Sequence, residues 1–300
     1  MANPLLLLPD FLLILLGFAI CRFTALDRRV WDAAERLVYF LLFPVLLFTS
    51  ILKSPIEPAQ ALDFGLAGIG MLAVGIAVAL AIGRWPGVDR RLHASGAQVA
   101  YRFNSYVALA LSERLYGAQG LAWMALLMAL AIPICNFAAV WPLARHGGHS
   151  YGREIARNPL IIGTLLGLAG NAFGLVLPEP VTTTLQRIGL AALPIGLMAV
   201  GAGLSLGGLK AAPGLATSLL SIRHALLPAV AIGLALLLHL PPEQRGIVVL
   251  FGAMPTSASA YVLAARMGGD GSFVAGLVTV STLLGMVGIP LWLAVLRLVS

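Results

Sequence analysis

Residues 253–270, AMPTSASAYVLAARMGGD, decide the fold. They sit in a run too apolar for a surface loop, yet carry Pro255, Thr256, Ser257, Ser259 and Tyr261. In lipid, a proline removes one backbone donor and frees the carbonyl about a turn earlier. Such a break is tolerated only where protein buries it or where it lines a wet cavity. Taken alone, the segment also fits a proline-kinked packing helix whose hydroxyls bond back to their own carbonyls. The weight shifts because the chain carries a counterpart of it.

Outward from this stretch, the composition excludes a soluble domain. Of 300 residues, 60% are hydrophobic and 10% charged, so too little polar surface exists to cover a water-exposed fold. The net charge of +7 comes from 17 Arg and 2 Lys, mostly in short connections between apolar runs. That placement fits anchoring at anionic headgroups rather than nucleic-acid binding. The five histidines show no metal-ligand spacing, no cofactor motif is present, and Cys21 and Cys135 lie in apolar segments without a disulfide framework. The first apolar run lacks a basic leader and ends in Arg22, so a retained first span is expected rather than a cleaved signal peptide.

Ten apolar runs are long enough to cross a bilayer, at 5–21, 39–52, 64–83, 94–116, 121–143, 159–177, 185–206, 216–240, 246–267 and 273–298. The second is short, and the segment from Val30 either lies along the interface or extends the helix. Connections after odd-numbered runs hold thirteen basic residues, Arg223 counted among them, and those on the other side hold five. The positive-inside rule then places both termini outside and the linker 144–158 in the cytoplasm of a multi-pass protein of the cytoplasmic (inner) membrane.

The runs repeat. Asn3-Pro4-Leu5 opens the first and Asn158-Pro159-Leu160 the sixth, while Phe43-Pro44-Val45 matches Leu193-Pro194-Ile195. At an offset of 151, Asn104-Ser105-Tyr106 falls opposite Pro255-Thr256-Ser257, Gly117 opposite Gly268 and Trp141 opposite Trp292. Five is odd, so two successive five-span units (1–143 and 159–300) sit with opposite topology. Inverted repeats with broken helices at corresponding positions point to a transporter's binding site.

At these residues the chain resembles the auxin efflux carrier family. Phe103-Asn104-Ser105-Tyr106-Val107-Ala108-Leu109-Ala110 with Leu115-Tyr116-Gly117 is similar to that family's fourth span. Met254-Pro255-Thr256, Ala260-Tyr261-Val262-Leu263-Ala264 and Gly268-Gly269-Asp270 resemble its ninth, and Leu8-Pro9-Asp10-Phe11-Leu12 its first. The resemblance implies an all-α membrane protein of ten helices in an inverted five-plus-five repeat, with helices four and nine broken and crossing. It also implies a carrier of organic anions, carboxylates above all. Many members have Gly-Leu-Pro where this chain has Ala108-Leu109-Ala110, so less unwinding is expected in the fourth span, with Ala110 at the family's break position.

Among candidate residues, Asn104 stands first: an amide inside an apolar span must bond across helices, fill unwound backbone or meet a ligand. Thr256, Ser257 and Ser259 offer hydroxyls beside freed amides, with Pro255 and Tyr261 in the same motif. Arg102 lies roughly 12 Å into its span at 1.5 Å per residue, and its fork matches a carboxylate, although it could instead snorkel to the interface. Asn136 is a second intramembrane amide. Pro44 and Pro194 read as paired hinges beside Ala110 and Pro255. Asp10 caps or interrupts the first span, Asn171 is structural, and Arg266 and Asp270 fit a helix end.

These features favour a secondary carrier of mono- or dicarboxylates working by alternating access. Its partners are the anion and the bilayer, with a homodimer left open and no nucleic acid. The alternatives are a sodium-coupled symporter of the related bile-acid-type fold, an intramembrane enzyme and a channel. A sodium site needs clustered carboxylates and amides, and an enzyme needs a paired catalytic set, neither of which the sequence displays. Only Asp10 and Glu113 are acidic within the spans, which favours uniport or exchange over ion coupling.

Overall fold

The computed structural model describes residues 8–53, 58–143, 159–204, 209–257 and 259–299. The side chains of 58–60, 140–143, 259, 262, 265 and 266 are not described. The expected 144–158 linker and the Asn3/Asn158 match lie outside the described residues. Every regular element among the described residues is helical. Among the described residues, six helices are long and apolar enough to cross a bilayer, where ten spans were expected.

Broken ladders explain much of the difference. The expected fourth and fifth spans form one apolar stretch, Arg90–Ala139. It contains a short helix α5 (Arg90–Gly96), a 3-10 turn, a non-helical gap at 101–104 and the helix α6 (Ser105–Leu143). Within α6, Gly117 has φ 64° and ψ −156°, a conformation open essentially to glycine alone. The expected ninth span is two helices, α12 (Pro242–Ala253) and α13 (Ser259–Arg266).

The chain folds as two compact units, each drawing on both halves of the sequence. One unit comprises 1–57, 109–129 and 150–203; the other comprises 58–108, 130–149 and 204–300.

In the first unit, α1 (Leu8–Phe23) packs on α9 (Ala192–Ala202), and α3 (Phe43–Lys53) packs on α7 (Pro159–Ala172). Both contacts are backbone-close. A Cβ on Gly17 would overlap the Met198 backbone, and one on Gly201 would overlap the Ile14 carbonyl. On the second pair, a Cβ on Gly163 would fall 2.6 Å from the Pro44 carbonyl oxygen, and one on Gly167 3.1 Å from that of Phe48. Small residues admit such approach between helices in lipid, where packing rather than water exclusion drives association. Asn171 of α7 donates from Nδ2 to the carbonyls of Ile51 and Leu52 (3.1 Å each), closing the end of α3.

The segment before the short second run extends the helix instead of forming a separate surface piece. A ladder runs from Arg28 to Lys53 through α2 (Arg28–Leu37), a π turn at Val38–Leu42 and α3. In that turn the Phe43 N–H reaches back five residues to Val38. Pro44 follows with no donor and a ring that crowds the carbonyl four residues earlier, and the wider turn accommodates it.

In the second unit the same device recurs. Here α10 (Pro213–Ser221) passes through a π turn at Ile222–Leu226 into α11 (Leu227–Leu237), with Pro228 in its first turn. The α11 helix packs on α12 and on α4 (Pro58–Ile82), where Gly75 faces the Leu227 side chain. His93 of α5 bonds the Ala79 carbonyl of α4 through Nε2 (2.8 Å). The last helix, α14 (Gly271–Val299), is started by Asp270, whose carboxylate accepts the Phe273 N–H (2.8 Å).

Candidate functional site: two helix breaks joined by one hydrogen bond

The first break needs no proline. The 3-10 turn Ala97–Ala100 ends the α5 segment, and the helix resumes only at Ser105. Asn104 accounts for the restart: its Oδ1 accepts the N–H groups of Tyr106 (3.0 Å) and Val107 (3.2 Å), the bonds of an N-cap. The expectation of Ala110 as the break position is therefore corrected. Ala110 lies buried inside the regular part of α6, and the break falls at 101–104. An amide cap, rather than a proline, interrupts the ladder.

The second break follows α12 at 254–257, where Met254 adopts φ −58° and ψ 145°. Pro255 has no N–H to offer, and its ring packs over Gly285 of α14, where a Cβ would stand 3.2 Å away. The two gaps meet: the Asn104 N–H donates to the Pro255 carbonyl at 2.8 Å. Phe103, next to Asn104, meets Phe251 edge to face, with centroids 4.5 Å apart and ring planes at 62°.

Released backbone groups find side chains from other helices. Arg223, in the second π turn, is wholly buried. Its Nε donates to the Met254 carbonyl (2.6 Å), and its Nη2 donates to those of Phe251 (2.7 Å) and Gly252 (3.1 Å). A guanidinium thus covers the negative C-terminal end of α12, where a cation is favoured. The Thr256 N–H donates to Ser281 Oγ (2.9 Å), which also bonds His224 Nε2 (2.8 Å). On the other gap, Gln98 Nε2 donates to the carbonyls of Ser95 (3.0 Å) and Ala260 (3.1 Å), and Arg102 Nη1 donates to Gln98 Oε1 (3.2 Å). None of these bonds uses an acidic side chain. The charged side chains they use are Arg102 and Arg223.

Of the residues expected at the site, Arg102, Asn104, Pro255, Thr256 and Ser257 all lie in the gaps, Arg102 half-buried. The Ser259 side chain lies outside the described residues, as does that of Arg266. Tyr261 is 45% exposed, and so is not enclosed with the gap residues. Asn136 is half-buried on α6; its neighbour Cys135 reaches the Tyr101 carbonyl through Sγ at 3.5 Å. Pro44 and Pro194 belong to the other compact unit. So does Asp10, which neither caps nor interrupts its helix. It is buried inside α1 and takes a two-pronged contact from Arg114 at 3.2 and 3.3 Å.

Arg223, Gln98, His224 and Ser281 were missed. Arg223 had been counted with the connecting basic residues, yet it stands within the expected run 216–240. An arginine well inside an apolar run was the available signal.

Comparison with known proteins identifies a family. The family described as "Membrane transport protein" matches residues 109–293, more than half of the chain. A Rhizobium meliloti protein named "Putative malonate transporter" is 26% identical over 301 residues, covering 94% of this chain and 92% of that protein. A protein of Methanothermobacter thermautotrophicus named "Uncharacterized transporter" is 25% identical, covering 95% of each. The relatives are transporters and not enzymes. With its apolar helices and its match to that family, the chain belongs to the membrane transport proteins of the auxin efflux carrier family.

Proposed function

We propose that this multi-pass membrane transporter carries small organic anions, mono- or dicarboxylates, across the cytoplasmic membrane by alternating access. The observation that carries the reading is the Asn104–Pro255 bond, which joins two helix gaps from opposite halves of the sequence. A carboxylate entering a membrane interior must exchange its water for fixed donors. The Asn104 amide has its oxygen engaged as a cap, and its Nδ2 donates to no group among the described residues. Thr256 adds a buried hydroxyl without a partner among the described residues. The name of the Rhizobium relative points to the same substrate class.

The reading includes ten spans in an inverted five-plus-five repeat with both termini outside. Packing within the first unit supports the repeat. Gly17 meets the Met198 backbone, and Gly167 meets the Phe48 carbonyl. Gly17 and Gly167 stand 150 positions apart, as do Phe48 and Met198, so exchanging the halves exchanges one contact for the other. In the proposed cycle, the unit holding both gaps moves as a body about a midplane site.

Uptake and counterflow of labelled mono- and dicarboxylates in proteoliposomes test the reading. Saturable uptake accelerated by unlabelled carboxylate on the opposite side is expected. No carboxylate flux above protein-free vesicles would overturn it.

A further inference from the structure

Arg223 is wholly buried in the π turn between α10 and α11 of the second unit and forms no ion pair among the described residues. Its Nε and Nη2 are occupied by three carbonyls, while Nη1, enclosed from solvent, has no hydrogen-bond partner there. Each of the two gaps also holds an enclosed hydroxyl in the same condition, that of Thr256 in the second and that of Tyr101 in the first. A buried polar atom without a partner requires an explanation, and a buried cation without a counter-charge requires a stronger one. Carbonyl dipoles cover part of the guanidinium's charge, but none of them carries a full negative charge.

We infer that the missing counter-ion of Arg223 is the transported substrate: one carboxylate of the anion lies across Arg223 Nη1 and the Thr256 hydroxyl. This inference rests on the carrier reading above. Met254, whose carbonyl Arg223 holds, is two residues from Thr256, so their Cα atoms are at most about 7 Å apart. A planar guanidinium can keep two nitrogens on backbone carbonyls and still present a third to a ligand, which a lysine ammonium does less well. The arrangement makes net negative charge a condition of binding. Neutral polar analogues would leave the guanidinium uncompensated. Because the same side chain grips the end of α12, an anion at Nη1 also tightens the second gap.

The test compares malonate with malonamide, its neutral diamide, using full-length protein in proteoliposomes and in detergent. Wild type is expected to prefer malonate and to melt at higher temperature with malonate present. Arg223→Gln is expected to bring the malonate-to-malonamide ratio of half-saturation constants close to one. Arg223→Lys keeps the charge without the fork, so the preference persists at about tenfold weaker affinity. Thr256→Val keeps the volume and removes an unpartnered hydroxyl. It should melt at or above the wild-type temperature without ligand, while malonate half-saturation rises about tenfold.

A purely structural Arg223 predicts something else: lower melting temperatures and lower maximal rates, with the wild-type ratio intact. That result overturns the inference. Should Arg223→Gln fail to fold, unchanged malonate half-saturation in both Arg223→Lys and Thr256→Val overturns it as well. Wild-type vesicles that carry no carboxylate would defeat the carrier reading and this inference together. Wild-type flux with an unaltered ratio in the variants defeats this inference alone.

Discussion

The two units solve one problem in opposite ways. Lipid offers no hydrogen bonds, so every backbone amide and carbonyl must find a partner in the protein. In the first unit, α1/α9 and α3/α7 keep their ladders and approach until Gly17, Gly201, Gly163 and Gly167 leave room for nothing but backbone. In the second unit the ladders are interrupted twice. Arg223, Asn104, Ser281 and Gln98 then satisfy what the interruptions release. The first arrangement cannot adapt to a ligand, because a close-packed glycine contact has a single geometry. The second leaves polar groups whose partners can be exchanged for a ligand. In the proposed carrier the first unit is the scaffold and the second holds the site, and the two differ in who holds the backbone.

The contrast predicts that the first unit fails by overpacking. Gly201→Leu forces a side chain into the Ile14 carbonyl, at a cost of about 3 kcal/mol or more. Little folded protein should survive by size-exclusion profile. A normally expressed, thermally unshifted variant would show that the α1/α9 contact is not backbone-close.

Ala110→Pro sharpens the boundary between a gap and an intact ladder. Ala110 sits inside regular α6 helix, so proline there should cost about 3 kcal/mol and lower the melting temperature. A variant that folds normally and transports faster would restore Ala110 as the hinge.

Asn104→Asp separates the two uses of that side chain. The carboxylate still accepts from Tyr106 and Val107, so the cap survives and stability changes by less than about 1 kcal/mol. The amide donors are lost and a negative charge is added, so anion uptake should fall at least about tenfold. Wild-type uptake in Asn104→Asp would make Asn104 a cap and nothing more.

The smallest effect is expected at Asp10→Asn. Arg114 is 43% exposed in the pair, so solvent weakens the contact and its loss costs about 1 kcal/mol. Carboxylate affinity should not change. A large change in affinity would mean that the Asp10–Arg114 pair takes part in the cycle.

Part of this protein was legible in its residues alone. Composition and apolar run length identify an all-helical membrane protein, because a bilayer accepts only helices or closed barrels and the runs are too long and uninterrupted for barrel strands. Pro255 marks the second gap because a missing N–H is a property of one residue. The first gap was expected six or more residues late, at Ala110, because a family pattern of proline was sought where an asparagine cap does the work. Arg102 and Asn104 were found as polar residues in an apolar run, and Arg223, which meets the same criterion, was passed over.

Other features were decided only by the tertiary structure. The Arg223 guanidinium meets carbonyls 28 to 31 residues away, Gln98 meets Ala260 across 162 positions, and Asp10 meets Arg114 across 104. A helix satisfies its own backbone within four residues, so its presence and its interruption are local and can be read along the chain. Which side chain closes an interrupted ladder depends on which helices fold against it, and no local pattern carries that information.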